Sequence, residues 1–168
     1  MRPLIHKFSE VWRTDLGHKV RVEFQDAPDV SQEANFRPRR IAVIEKSPLA
    51  YPGTIIFGQS TAFLLIGQVT LAGLNRFRAL EITDYLPWTR MGLARDPVTG
   101  FMREDVPQLM NTRLPCVVEP IRTVVDMGVE RAKMRVLTGA AVQIKDKIGK
   151  LQVHSMLPHL GVHLLETI

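Results

Sequence analysis

One cysteine, Cys116, is the whole thiol content of the chain, so an internal disulfide is excluded. That usage suits a chain made in a reducing compartment such as the cytoplasm, and it does not suit a secreted disulfide scaffold. Cys116 stands between Pro115 and Val117-Val118, the setting of a small buried hydrophobe more than of a nucleophile. Long apolar runs are lacking too. The longest, Ala62 to Ile66, is far too short to cross a bilayer, and Met1-Arg2-Pro3-Leu4-Ile5-His6-Lys7 has no signal-peptide core. A soluble protein with no membrane partner is expected. Glycines occur singly, so no phosphate-binding loop can be drawn, and Gly58-Gln59-Ser60-Thr61-Ala62 lacks the pattern of a nucleophile elbow. Ser60 reads as a turn residue.

What is present is ordinary globular material. With 168 residues, 45% of them hydrophobic, one domain spanning 1–168 can bury a real core without metals or disulfides. Lys and Arg outnumber Asp and Glu by 22 to 17, a mild bias toward acidic partners.

Along the chain, Phe8, Val11, Trp12 and Leu16 fall at helical spacing and predict a short N-terminal helix stopped by Gly17. Period 2 then takes over, with Val20, Val22 and Phe24 on one face of a strand. Gln25 to Arg40 reads as a polar loop, and Ile41 to Glu45 resumes strand character. Tyr51-Pro52-Gly53 has the residues of a type II turn. Thr54 to Phe57 and Thr61 to Ile66 suggest a hairpin across Gly58-Gln59-Ser60. Gln68 to Leu71 and Phe77 to Thr83 suggest the next pair.

Residues 84–115 break the pattern. Pro87, Pro97, Pro107 and Pro115 interrupt a segment that also carries Tyr85, Trp88, Met91, Phe101, Met102 and Met110. About thirty aperiodic residues are uncommon inside a compact domain and are usually functional or disordered. These aromatics argue for order, so the segment is expected to be an extended loop or arm that packs on its own barrel or on a neighbour. Strand patterns return at Cys116 to Val118, Ile121 to Val125, and Ala132 to Leu137. Val142 to Ile144 and Leu151 to Val153 flank a charged tip, and Leu160 to Ile168 supplies a last strand. The fold class is therefore mainly β, a small barrel or sandwich of about eight to ten short strands.

No constellation commits to chemistry. His159 and His163 are four apart, but Pro158 and Gly161 oppose a helix and no third ligand is indicated, His6, His18 and His154 included. Glu81/Asp84 and Glu104/Asp105 have Arg78 and Arg103 beside them and read as solvated ion pairs. Neither catalytic residues, nor a metal, cofactor or small-molecule substrate is expected. The best basic cluster is Phe36 with Arg37, Arg39 and Arg40, which could follow a nucleic-acid backbone or an acidic partner, extended by Lys145, Lys147 and Lys150.

The segments Tyr51-Pro52-Gly53-Thr54-Ile55-Ile56-Phe57, Phe63-Leu64-Leu65-Ile66-Gly67 and Phe77-Arg78-Ala79-Leu80-Glu81-Ile82 resemble the turn-and-meander core of head–tail joining and tail-completion proteins of tailed bacteriophages. The resemblance covers residues 18–83 and carries over no functional residue. It implies a non-enzymatic virion subunit made in the host cytoplasm, at the head–tail connector, neck, tail or baseplate. Its partners would be copies of itself in a ring and neighbouring assembly proteins. Tyr85, Trp88, Met91, Phe101, Met102 and Met110 are the expected interface residues.

Overall fold

The computed structural model describes residues 9–27, 40–120, 124–126, 129–131 and 134–167. The chain divides into two compact units, Met1–Ile82 with Pro158–His163 and Thr83–Leu157 with Leu164–Ile168, where its length suggested one domain. Among the described residues every regular element is a strand, and no helix is long and apolar enough to cross a membrane.

The first barrel contains β1 (Glu10–Thr14), β2 (Lys19–Asp26), β3 (Arg40–Glu45), β4 (Ile55–Phe57), β5 (Ala62–Leu71) and β6 (Leu74–Glu81), and it closes in the order β1-β2-β3-β6-β5-β4. The expected N-terminal helix is not there: Glu10–Thr14 is strand β1. Trp12 and Thr14 are buried while Val11 and Leu16 are exposed, so alternation governs and the helical spacing was accidental. The hairpins read from sequence do form, β4 pairing with β5 and β5 with β6. Here β5 is one strand running through both apolar runs, with a bulge at Gly67.

Trp12, Phe24 and Phe63 meet inside with ring centroids 5.1–5.6 Å apart, packed against Val20, Val22 and Leu65. The rings leave no room beside them. A Cβ on Gly58 would lie 2.6 Å from Cη2 of Trp12.

The second barrel contains β7 (Asp84–Arg95), β8 (Met102–Pro120), β11 (Met134–Thr138), β12 (Lys147–Ile148), β13 (Leu151–His159) and β14 (Val162–Thr167). A separate two-stranded sheet is formed by β9 (Val124–Asp126) and β10 (Val129–Arg131). Residues 84–115 are thus two paired strands and a turn, not a loop. The prolines are tolerated because, among the described residues, most of this hairpin has edges with no further strand to pair. The charged tip expected at 145–150 is also different, since Asp146 and Ile148 are buried and the turn between β12 and β13 is Gly149-Lys150 alone.

The two barrels share one topology. Both close in the order first-second-third-sixth-fifth-fourth strand. The register matches as well: Trp12↔Val20 corresponds to Leu86↔Leu114, Phe24↔Ala42 to Val118↔Val136, and Ile56↔Phe63 to Ile148↔Leu151. The turn before the fourth strand repeats bond for bond. Tyr51 N donates to Thr54 Oγ1 at 3.1 Å and Thr54 N to Tyr51 O at 3.0 Å; Gln143 N donates to Asp146 Oδ2 at 2.8 Å and Asp146 N to Gln143 O at 3.1 Å. Gly53, at φ 100°, supplies the left-handed residue of the first turn, and Lys145, at φ 75°, that of the second.

Candidate functional site

The shared topology isolates one large difference. In the first barrel, residues 15–18 join β1 to β2 directly. In the second, the corresponding strands β7 and β8 run on past the barrel as a two-stranded ribbon about 20 Å long. β7 pairs with β12 only at Trp88 and Thr89, and β8 pairs with β11 only from Val117 to Pro120. Beyond those points, among the described residues, the ribbon strands pair only with each other.

The base of the ribbon is pinned by Asp146. Its carboxylate, 2% exposed, accepts the Trp88 indole N–H at 2.8 Å, the Arg90 Nε and Nη2 at 2.9–3.3 Å, and the Gln143 N–H. Arg90 Nη2 also donates to the Ala141 carbonyl, and its guanidinium lies 5.2 Å from the Trp88 ring centre. Burial by itself raises the pKa of the Asp146 carboxyl. The bond to Arg90, then the Gln143 N–H and the Trp88 indole, outweigh burial and hold it below the usual carboxylate range. The same bond to Asp146 holds the Arg90 guanidinium above its ordinary value.

The tip is a built turn. Asp96 Oδ1 accepts the N–H groups of Val98 and Thr99, Gly100 N donates to Asp96 O at 2.8 Å, and Gly100 sits at φ 72°. Arg95 Nε donates to Gly100 O, and Arg103 pairs with Asp96 at 3.2 Å. The backbone N–H of Val98, with Arg103 and Thr99, keeps the Asp96 carboxyl below its ordinary range.

Between base and tip the ribbon has two unlike faces. Met91 on β7 pairs with Pro107 on β8, and two residues along each strand Leu93 and Leu109, the latter opposite Thr89, extend the same apolar face. Leu93 is 57% exposed and Leu109 60%. The opposite face carries Arg90 and Gln108, with the Gln108 side chain lying across Gly92. Every residue from Pro107 to Arg113 is exposed, Val98 is 91% exposed and Phe101 75%. Exposed apolar patches of this continuity usually mark interaction sites.

Of the expected interface residues, Tyr85, Met91, Phe101, Met102 and Met110 are exposed on this element, Tyr85 beneath the Arg113 guanidinium. Trp88 belongs with the barrel core and the Asp146 knot. Leu93, Val98 and Leu109 were missed. The alternations Met91-x-Leu93 and Pro107-x-Leu109 were the available signal, obscured by Gly92 and the prolines. Of the basic cluster, Arg40 stacks on Phe24 and Phe63 at 5.5 and 6.0 Å, whereas Phe36, Arg37 and Arg39 lie outside the described residues.

Among the described residues no group of three His, Cys, Asp or Glu side chains could hold a metal. His159 is kept below its ordinary pKa by burial and by Arg78. Comparison with protein-family models, with curated proteins and with solved structures gives no match.

Proposed function

We propose that this chain is a structural, non-enzymatic subunit of a macromolecular assembly, a tailed-phage virion component at the head–tail connector, neck, tail or baseplate. Copies of the chain form a ring, and the β7–β8 ribbon is the arm by which one subunit holds its neighbour. The observation that carries this reading is the apolar face of Met91, Leu93, Pro107 and Leu109, displayed on an element that its barrel does not need for closure. Burying a Leu or Met side chain contributes about 2 kcal/mol, so a few such residues seated on a neighbour outweigh the cost of ordering the contact. A two-stranded ribbon is marginal by itself in water, and docking would complete it. Light scattering after size exclusion tests this. A discrete oligomer supports the reading, and a monomer at every concentration contradicts it.

Nucleic-acid contact through Arg37, Arg39 and Arg40 is the second reading. Arg40 favours it to the extent that a guanidinium stacked on rings still presents its N–H edge to a phosphate. A monomer carrying 260 nm absorbance at low salt and losing it at high salt would support that reading over the first.

A further inference from the structure

The repeated barrel supplies an internal control for a second surface. On the first barrel, Ile55 of β4 faces Leu64 of β5, and Ile66 lies two residues on; all three are buried. The equivalent residues of the second barrel are Lys147, opposite Gln152, and His154, and all three are exposed. The same backbone presents an apolar covered face in one copy and a polar, basic face in the other.

The turn changes in the same sense. Where the first barrel has Gly53, the second has Lys145, held at φ 75° in the left-handed region that disfavours a side chain. Its backbone does what Gly53 does: Lys145 N donates to Val153 O at 2.9 Å, as Gly53 N does to Leu65 O at 2.8 Å. The strain therefore adds nothing to the turn. Lys145 is exposed and lines an open groove of about 310 Å³ together with Ile144, Gln152, Val153 and His154. Strain kept against an available glycine points to a use for the side chain. The nearest carboxylate in sequence, Asp146, is turned inward and engaged by Arg90 and Trp88. Like charges gathered on one face repel, and a bound anion relieves that repulsion.

We infer that the β12–β13 face is a binding site for phosphate groups, Lys145 and Lys147 supplying the charge and Gln152 a hydrogen-bond donor, and that its ligand is the backbone of duplex nucleic acid. Lysine is a point-charge phosphate binder and is depleted in protein–protein interface cores, which favours a phosphate over an acidic protein segment. No aromatic residue lines the groove for base stacking, which favours the duplex backbone over single strands and makes the contact independent of sequence. The site depends neither on the assembly reading nor on the reading that rests on Arg37, Arg39 and Arg40.

Fluorescence anisotropy of a short labelled duplex tests the site on the full chain across a salt series. Wild-type protein binds at low salt, and the pair Lys145→Gly with Lys147→Gln lowers the slope of log K against log salt by about 1.8. Lys145→Gly alone weakens binding while leaving the melting temperature no lower than wild type, because glycine is at ease at that φ. No binding by wild type, or an unchanged slope in the double variant, overturns the inference. So does tighter binding of polyglutamate than of the duplex, which would assign the face to an acidic protein.

Discussion

The indole N–H of Trp88 donates to Asp146 Oδ2 at 2.8 Å, joining the base of the ribbon to a turn 58 positions away in the chain. At the equivalent turn of the first barrel Thr54 does the capping with a hydroxyl, and no ribbon grows from β1. The carboxylate thus serves the ribbon in addition to the turn.

Asp146→Ala is expected to destabilise the second barrel by about 2 kcal/mol, since it leaves the half-buried Trp88 and Arg90 donors and the Gln143 N–H without their acceptor. Asp146→Asn retains an acceptor and costs about half as much. The folded carboxyl titrates below its unfolded value, so its contribution is present above the unfolded pKa and is lost as pH falls through the folded one. Thermal melts from pH 7 down to pH 2 should show the deficit of Asp146→Asn shrinking below about pH 4.

Cys116 occupies the place that Val22 holds in the first barrel, each paired to the start of its first strand and each fully buried. Burial, with the Asp84 charge, pushes its thiol up to about 12. Cys116→Val should change stability by less than about 1 kcal/mol. Ellman's reagent should react with the thiol only after denaturation; fast reaction in native buffer would show that the second core is open.

Gly58→Ala should destabilise the first barrel by about 1–3 kcal/mol, because the added methyl meets the Trp12 ring and that ring is held by Phe24 and Phe63. Near-ultraviolet circular dichroism reports on the displaced tryptophan. An unaltered signal and melting curve would mean that the ring yields freely.

Much of the first barrel was legible because its strands alternate cleanly and its turns are made by residues with one purpose. Val20, Val22 and Phe24 face inward as their spacing requires, and Tyr51-Pro52-Gly53 forms its turn with Thr54 N donating to Tyr51 O. The duplication was not legible. Equivalent positions exchange both identity and bulk, as in Trp12 and Leu86, Val20 and Leu114, or Phe63 and Leu151. The separation between equivalents also changes from strand to strand, so no fixed period exists.

The ribbon hid for a different reason. A strand with no neighbour on its outer edge accepts proline, and a strand in solvent on both faces has little need to alternate. Phe101 and Met102 could be read as interaction residues by their cost in water. That Trp88 would be drawn inward was not readable, because its partner Asp146 lies in what resembled a solvated charged tip.

The ribbon proposed as an assembly arm extends from a barrel whose strand order closes without it. The first barrel provides the template for removing it: residues 88–112 replaced by Thr-Asp-Leu-Gly-His, the segment that ends β1 and leads into β2, together with Asp146→Thr. The milder variant Leu93→Glu with Leu109→Glu, both at exposed positions, leaves the backbone intact. Molar mass by light scattering, measured beside a thermal melt, decides. A discrete oligomer is expected for the full chain, and cooperatively melting monomers for the trimmed chain and the double Glu variant. An oligomer unchanged in either variant, a full chain that is itself monomeric, or a trimmed chain that fails to fold would contradict the assembly-arm reading.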